Sequence, residues 1–384
     1  MPIGSRLRDY EITGVLAEGD FAIVYLARDH SLQRMVAVKE YLPVAIASRR
    51  SQSAAIVVEP GHAEDFEAGL KSFVAEARVL ARFDHPSLVK AYRFWEDNGT
   101  AYMAMPFYEG PTLKTALAEL GHVPGEGELR TWLKPILNAV TVLHEGGTWH
   151  QNIGPGEIVL TPTGPVLLGF GAASRAIGTL GHGPVSTLKP GFAALEQYGI
   201  DAATAVGPWT DLYALAAVLY DAIAGAPPQS APERLNGDTL QPLSQVAAGL
   251  YSTGFLAAID AALAIRPAER CRSHDQFRAA MGDIAAPAAS ASLAPRRDLM
   301  QEPFLRDTSS HREVTVPDRP LRQPIEPPPV KATAGVEHEA RGQALADDDR
   351  AGGQGGRQEA AWMGDGGPAS GRGKRTLFGV VAGV

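Results

Sequence analysis

One lysine and one glutamate in the N-terminal half have the side chains and surroundings best suited to chemistry. Lys39 ends the segment VAVK, in which Val36 and Val38 share one face of a predicted strand while Ala37 and Lys39 share the other. Glu76 lies off the most apolar stripe of a predicted helix further along the chain. An ammonium and a carboxylate can form a structural ion pair between strand and helix, or the lysine can also hold an anionic ligand. Both roles need the same two charges, so these residues alone leave the choice open.

The elements that must carry these residues form a small β-rich part followed by a larger helical part. The chain opens with a predicted strand, a turn at Glu18–Asp20 and a second strand, and TAYMAMPFYEG is a further strand. From Leu129 onward helical periodicity dominates. One helix is predicted to run from about Asp211 to Ala224, preceded by Pro208 and Thr210 as start signals. Ser273 is the predicted N-cap of another. The expected fold class is α+β with two lobes.

Composition excludes several classes of function. The chain has 384 residues, of which 43 are acidic and 35 basic, and its net charge of −8 gives no overall attraction for nucleic acid. The single cysteine, Cys271, excludes an intrachain disulfide and a cysteine-rich metal site. The opening residues, MPIGSRLRDYEI, lack the apolar run of a secretory signal. These features predict a cytoplasmic protein.

Proline and glycine accumulate after residue 285, where large apolar side chains become sparse. Because so little apolar surface cannot offset the entropy lost on ordering, residues 285–372 are predicted to be a disordered linker. Residues 373–384 combine a basic cluster with the apolar stretch TLFGVVAGV. This stretch is shorter than the roughly 20 residues that cross a bilayer. It is either the start of a membrane span that continues past Val384 or a frayed C-terminus.

The order of short motifs along residues 10–284 resembles that of the eukaryotic-type protein kinases, and specifically of the bacterial Ser/Thr kinases. The segments that carry the resemblance are LAEGDFAIVYLA, VAVK, MAMPFYEG, WHQNIGPGEIVL, LLGFGAA, ALEQY, WTDLYALAAVLY and RPAERCRS. Many blocks in one order are far more specific than a single glycine motif. The resemblance implies the two-lobed kinase fold, with an N-lobe at about residues 10–107 and a C-lobe at about 108–284.

The resemblance also implies a nucleotide cleft. In the family, glycines let backbone N–H groups approach the phosphates, but here the three positions read Ala17, Gly19 and Ala22. Lys39 would contact the α- and β-phosphates and pair with Glu76. The residues expected at the nucleotide are Leu16, Gly19, Val24, Ala37, Lys39, Glu76 and Met105.

By the same resemblance, the catalytic positions are degenerate, although His150 is retained. Asn152 replaces the catalytic Asp, and a neutral amide cannot accept the substrate proton. Gly154 replaces the catalytic-loop lysine. Glu157 replaces the metal-binding Asn, and Gly169 replaces the metal-binding Asp of D-F-G. Because each such group is typically worth about 10²–10⁴ in rate, the expected loss spans several powers of ten.

Residues that hold the family's C-lobe together are retained. Asp211 is expected to cap the catalytic-loop backbone, and Glu196 and Arg270 to form a buried ion pair. Lys189 stands where many Ser/Thr kinases carry the threonine of their peptide-docking loop. The candidate phosphate acceptors in the activation segment are Thr179, Ser186 and Thr187.

A retained scaffold beside missing chemistry predicts a pseudokinase, a regulatory or interaction module with a protein partner such as another kinase. ATP binding is left open, and magnesium is expected to bind poorly because Glu157 is its one candidate ligand. The alternative is a weakly active or unconventional kinase that transfers the γ-phosphate of ATP to protein Ser/Thr. No nucleic-acid partner is expected. The kinase-like domain is expected to be cytoplasmic, and tethered to the inner membrane if the C-terminus continues as a span.

Overall fold

The computed structural model describes residues 1–49, 54–170, 188–200 and 205–282. All of them belong to one compact unit of the chain. The predicted linker at 285–372 and the basic-apolar stretch at 373–384 lie outside the described residues. The same is true of the three candidate phosphate acceptors, Thr179, Ser186 and Thr187.

A six-stranded antiparallel sheet forms most of the N-terminal part. The strands of the described residues are β1 Arg6–Leu7, β2 Tyr10–Glu18, β3 Ala22–Asp29, β4 Arg34–Tyr41, β5 Ala47–Arg49, β6 Ile56–Val58, β7 Arg93–Asp97, β8 Thr100–Pro106, β9 Ile158–Thr161 and β10 Gly164–Leu167. In the large sheet they lie in the order β1-β2-β3-β4-β8-β7. Strands β5 and β6 pair with each other, as do β9 and β10, so two short ribbons accompany the sheet.

The alternation predicted for the segment VAVK is confirmed in β4. Val36 and Val38 pack into an apolar cluster with Tyr10 and Trp95 on one face of the sheet. Ala37 packs into a second cluster on the other face, together with residues of the first helix. Successive side chains of a strand point to opposite faces, so this strand divides two separate cores.

Helices dominate the remainder of the described chain. They are α1 Ala63–Leu80, α2 Leu113–Glu119, α3 Glu126–Glu145, α4 Pro208–Ala224, α5 Ala231–Asn236, α6 Leu243–Val246, α7 Thr253–Ala262 and α8 His274–Ala280. Helix α1 packs on the sheet through residues three and four apart, such as Phe73, Ala77 and Leu80, which are buried. Within the described ranges, no helix is both long and apolar enough to cross a membrane.

Helix α4 is the central element of the helical part. Its residues are buried on almost every side, and Leu212, Tyr213 and Leu215 share one apolar cluster with residues of α3 and α7. A helix that is apolar all round must lie in a core. It begins at Pro208, three residues before the predicted start at about Asp211, and ends where Gly225 adopts a φ of 77°, the left-handed conformation that favours glycine.

Candidate functional site

One face of the sheet gathers the residues expected at a nucleotide. The antiparallel register places Val24 opposite Lys39 and Ala37 opposite Met105. Residues directly opposite in such a ladder share a face. Val24, Ala37 and Met105 are buried in one apolar cluster, and Leu16 packs against it while remaining partly exposed. The described structure therefore brings these five side chains to the same side of β2, β3, β4 and β8.

The turn between β2 and β3 uses the backbone of its one remaining glycine. The N–H of Gly19 donates to the carbonyl oxygen of Ala22 at 2.9 Å. The carbonyl oxygen of Asp20 accepts the N–H of Val44 at 3.0 Å, which ties the turn to the residues after β4. The Gly19 N–H is thus engaged within the turn, whereas a phosphate-binding loop leaves such groups for its ligand.

Lys39 and Glu76 are brought together by β4 and α1. Nζ of Lys39 lies 3.4 Å from Oε1 of Glu76, and the two side chains are 15% and 1% exposed. The same Oε1 accepts the backbone N–H of Phe170 at 3.2 Å. Sequence pattern alone placed Glu76 off the apolar stripe of α1, yet the carboxylate is buried because these two donors neutralise it and satisfy it. The pair joins strand, helix and the segment after β10 at one point.

Gly169 lies directly against this ion pair. A Cβ built on Gly169 would stand 2.7 Å from Oε1 of Glu76 and 3.3 Å from Nζ of Lys39. The first distance is too short for a real contact, so the Glu76 carboxylate occupies the space in which a side chain at residue 169 would begin. The next residue, Phe170, stacks on His150 with ring centroids 4.8 Å apart. His150 is fully buried and its Nε2 lies 2.8 Å from the Leu168 carbonyl oxygen.

Asp211, in the first turn of α4, holds the backbone at the start of residues 150–157, which correspond by resemblance to the family's catalytic loop. Its two carboxylate oxygens accept the N–H groups of His150 and Gln151, each at 2.7 Å. Gln151 has a φ of 60°, a conformation that non-glycine residues rarely adopt and that these contacts fix. Burial by itself would raise the pKa of Asp211, but the hydrogen bond with His144 and the other donors outweigh it and lower the pKa below its usual value.

Lys189 extends into the same loop from the segment that precedes Glu196. Its ammonium lies 2.5 Å from Oε1 of Glu157 and 3.3 Å from the carbonyl oxygen of Asn152. The Glu157 side chain is 3% exposed and that of Lys189 31%. A Cβ built on Gly154 would stand 3.2 Å from Cδ of Lys189. Sequence reasoning missed this contact, although a lysine lost at 154 and one gained at 189 were both visible.

The oxygen atoms at this point do not make a site for a divalent metal. Gly169 offers no side chain, and the Glu157 carboxylate is already paired with the Lys189 ammonium. The Asn152 side-chain amide donates to the Gly169 carbonyl oxygen at 3.3 Å. In the part of the chain that the structure describes, no group of three or more His, Cys, Asp or Glu side chains could hold a metal ion. Magnesium prefers hard oxygen ligands such as carboxylates, so it does not fit these residues.

The buried ion pair expected between Glu196 and Arg270 is formed. Nη1 of Arg270 lies 2.9 Å from Oε1 and 3.2 Å from Oε2 of Glu196, and both side chains are fully buried. The Thr210 hydroxyl donates to the same carboxylate at 2.6 Å. Gln197 adds a further tie, since its Nε2 donates to the Gln151 carbonyl oxygen at 2.8 Å. The segment around residue 196 is therefore anchored to both the catalytic loop and the last helices.

Comparison with solved structures supports the fold. A chain described as "PpkA-294 apo form" is 41% identical, with a TM-score of 0.68, and the match covers 73% of this chain and 99% of that one. The PknI kinase domain of Mycobacterium tuberculosis is 25% identical, with a TM-score of 0.56 and coverage of 74% and 98%. The two-lobed protein-kinase fold is thereby confirmed.

Similar curated proteins are bacterial kinases. The DNA damage-responsive serine/threonine-protein kinase RqkA of Deinococcus radiodurans is 32% identical over 57% of this chain and 30% of its own length. The serine/threonine-protein kinase PknH of Mycobacterium tuberculosis is 28% identical over 86% of this chain and 49% of its own. The match thus spans less than half of either relative. The family model for the protein kinase domain matches residues 10–248, and the chain therefore belongs to the protein kinase family.

Proposed function

We propose that the protein is a kinase-fold regulatory or interaction module that does not carry out efficient phosphoryl transfer. The observation that carries this proposal is the contact between Gly169 and Glu76. Residue 169 stands where the family has its metal-ligating Asp, and a Cβ there would lie 2.7 Å from Oε1 of Glu76. Residue 169 therefore has no side chain to ligate a metal, and the Glu76 carboxylate would have to move to admit one. Phosphoryl transfer depends on charge neutralisation and positioning, which the metal largely supplies in active kinases.

The loss of the catalytic base is a second, independent support. Asn152 stands at the position of the catalytic Asp, and its amide has no basic electron pair of carboxylate strength. Its Nδ2 is engaged with the Gly169 carbonyl oxygen. Losing a base and a metal ligand together costs several powers of ten in rate, because each such group typically contributes about 10²–10⁴.

The chain retains the ion pairs and hydrogen bonds that hold the kinase fold together. The Lys39–Glu76 pair, the Asp211 contacts to the catalytic loop and the Glu196–Arg270 pair are all formed. A fold stabilised in this way can offer its surface to a protein partner. Nucleotide binding without phosphoryl transfer would stabilise one arrangement of the lobes. A ligand present at 100 times its Kd that binds only the folded state raises stability by about 2.7 kcal/mol. Thermal melts with ATP, with ADP and without nucleotide test this part.

A phosphoryl-transfer assay on the full chain tests the central part. ATP labelled at its γ-phosphate is incubated with the protein, generic protein substrates and either Mg²⁺ or Mn²⁺. Wild type is expected to transfer no more label than Lys39→Ala, whose ammonium is gone. Transfer that survives in Asn152→Ala and disappears in Lys39→Ala would overturn the proposal, because a kinase would then work without a residue at the position of its base.

A second candidate function is a slow serine/threonine kinase, and one specific observation favours it. The Lys189 ammonium lies 3.3 Å from the Asn152 carbonyl oxygen, so the loop has a cation although Gly154 supplies none. The two curated relatives described above are serine/threonine-protein kinases. The same assay separates the two functions, since slow transfer would be abolished by either Lys39→Ala or Lys189→Met.

A further inference from the structure

The Lys189–Glu157 pair joins two segments that are distant in sequence. Glu157 belongs to a short 3-10 turn before β9, and its side chain is 3% exposed. A buried carboxylate needs a positive partner, and the Lys189 ammonium supplies one at 2.5 Å. The ammonium also donates to the carbonyl oxygen of Asn152 at 3.3 Å. The pair therefore holds a cation within the catalytic loop.

The position of this cation is defined by Gly154. A Cβ on residue 154 would stand 3.2 Å from Cδ and 3.6 Å from Nζ of Lys189. The Lys189 side chain thus runs through the space that a long side chain at residue 154 would enter. By resemblance, residue 154 is where the family carries its phosphate-facing lysine and residue 189 is where it carries a threonine. The ammonium at the catalytic loop is therefore supplied by residue 189 and not by residue 154.

An ammonium group has three N–H donors, and the two contacts above use two of them. Among the described residues, a third donor is left for an anion, and the Lys189 side chain is 31% exposed. Lys39 supplies another ammonium, beside Gly169, and it is also matched by a buried carboxylate, that of Glu76. Two cations therefore flank the place where a divalent metal would otherwise neutralise phosphate, and their carboxylates keep them there.

We propose that Lys189 is a phosphate-binding residue of this cleft and that the cleft takes a nucleoside triphosphate without a divalent metal. The inference rests on the nucleotide-binding part of the proposed function. Lys189 donates to a phosphate oxygen, and Glu157 positions the ammonium for it. Because the carboxylates of Glu157 and Glu76 are paired with lysines, they are not left to ligate magnesium, and the cleft binds the free triphosphate about as tightly as its magnesium complex.

The test is nucleotide binding to the full chain by titration calorimetry, with ATP and with adenosine, in EDTA and again in Mg²⁺. Wild type is expected to bind ATP in EDTA, and magnesium is expected to change the Kd by less than about threefold, a small fraction of the energy of one charged hydrogen bond. Lys189→Met is expected to weaken ATP binding on the order of tenfold or more and to leave adenosine binding unchanged. Lys189→Arg keeps a cation and should retain most of the affinity.

A matched control is Lys71→Met, since Lys71 is an exposed lysine on α1 and should not affect either ligand. ATP binding that requires magnesium overturns the proposal. So does a Lys189→Met variant that weakens ATP and adenosine equally, because a merely structural role would do that. If wild type binds neither ligand, the nucleotide-binding part of the proposed function fails together with this inference. If wild type binds both ligands and Lys189→Met binds ATP as tightly as wild type does, this inference alone is contradicted.

A second measurement needs no ligand and tests whether the Lys189 side chain fills the space beside residue 154. Gly154→Lys places two ammonium groups in one space and is expected to lower the Tm by about 2–4 °C. Adding Lys189→Thr to that variant removes the competition and is expected to restore the Tm. Gly156→Lys is the control, because nothing lies within 4 Å of a Cβ on that residue. A Gly154→Lys variant as stable as Gly156→Lys would show that Lys189 does not fill that space.

Discussion

The carboxylate of Glu76 fills the place of a side chain at residue 169. Its Oε1 lies 2.7 Å from the point at which a Cβ on Gly169 would stand, and it accepts the N–H of Phe170 at 3.2 Å. In an active kinase the same glutamate supports the lysine while the residue at 169 ligates metal. Here the carboxylate that pairs with Lys39 lies directly against residue 169, which has no side chain to ligate a metal.

Adding a single methyl group at Gly169 tests this contact. Gly169→Ala is expected to destabilise the protein by about 1 kcal/mol, because the Glu76 carboxylate must shift and its hydrogen bonds to Lys39 and the Phe170 N–H lengthen. The measurement is the free energy of unfolding in urea. Gly156→Ala is the matched control, in the 3-10 turn before β9, where nothing lies within 4 Å of the added Cβ. Equal stabilities for the two variants would contradict the account.

Restoring the base by itself should not restore catalysis. Asn152→Asp supplies a carboxylate at the position of the catalytic Asp. Residue 169 is still a glycine without a side chain to ligate a metal, and Glu76 still lies against it. Phosphoryl transfer in the γ-labelled ATP assay is therefore expected to stay at the level of wild type. A rise of about a hundredfold or more, the usual contribution of a general base, would mean that the base was the one missing group.

The buried pair Glu196–Arg270 is expected to stabilise the fold far more than a surface pair. Arg270→Met leaves the Glu196 carboxylate buried without its cation, and breaking such a pair typically costs about 3–5 kcal/mol. Lys71→Met breaks the exposed pair with Glu67, which typically contributes about 0–1 kcal/mol. Urea denaturation of both variants gives the comparison. Similar losses in the two would refute the structural role of Arg270.

Stability should fall as the pH drops below neutral. Burial, followed by the charges of His144 and Arg278, lowers the pKa of His274 from 6.5 to about 4, while Asp275 and Asp211 oppose this. In the unfolded chain His274 titrates at its ordinary pKa, so the unfolded state binds more protons between about pH 6.5 and 4. The free energy of unfolding therefore decreases as the pH falls through that window and levels off below it.

The matched variant for this effect is His274→Asn, which removes the titrating group. Its unfolding free energy, measured in urea at a series of pH values, is expected to depend less steeply on pH in the same window. His274 hydrogen-bonds His144 at 2.7 Å, so some loss of stability at pH 7 accompanies the change. An unchanged pH slope would show that other groups cause the acid sensitivity.

Much of the fold could be predicted because its signals are local. Strand alternation assigned Val36 and Ala37 to opposite cores, and Ser273 was identified as an N-cap that indeed accepts the N–H of Gln276 at 3.3 Å. The strands β5 and β6 escaped prediction because three-residue strands in a polar segment show no period.

The site was predictable in its residue types and not in its contacts. The degenerate positions at Asn152, Gly154 and Gly169 could be read directly from the sequence. The sequence did not predict that Glu76 lies against Gly169. It also did not predict that Lys189 contacts Glu157, which lies 32 residues away in the chain. Both contacts depend on where a long side chain ends in three dimensions, and spacing along the chain carries no such information.

A structure from crystals of the protein grown with ATP and Mn²⁺ tests most directly the central claim that the cleft lacks protein ligands for a divalent metal. The anomalous signal of manganese locates every ordered ion. The account predicts that no manganese ion is coordinated by the side-chain oxygens of Asn152 or Glu157, and that Glu76 still lies against Gly169. Two ordered manganese ions that bridge the triphosphate and are held by protein oxygens would contradict it.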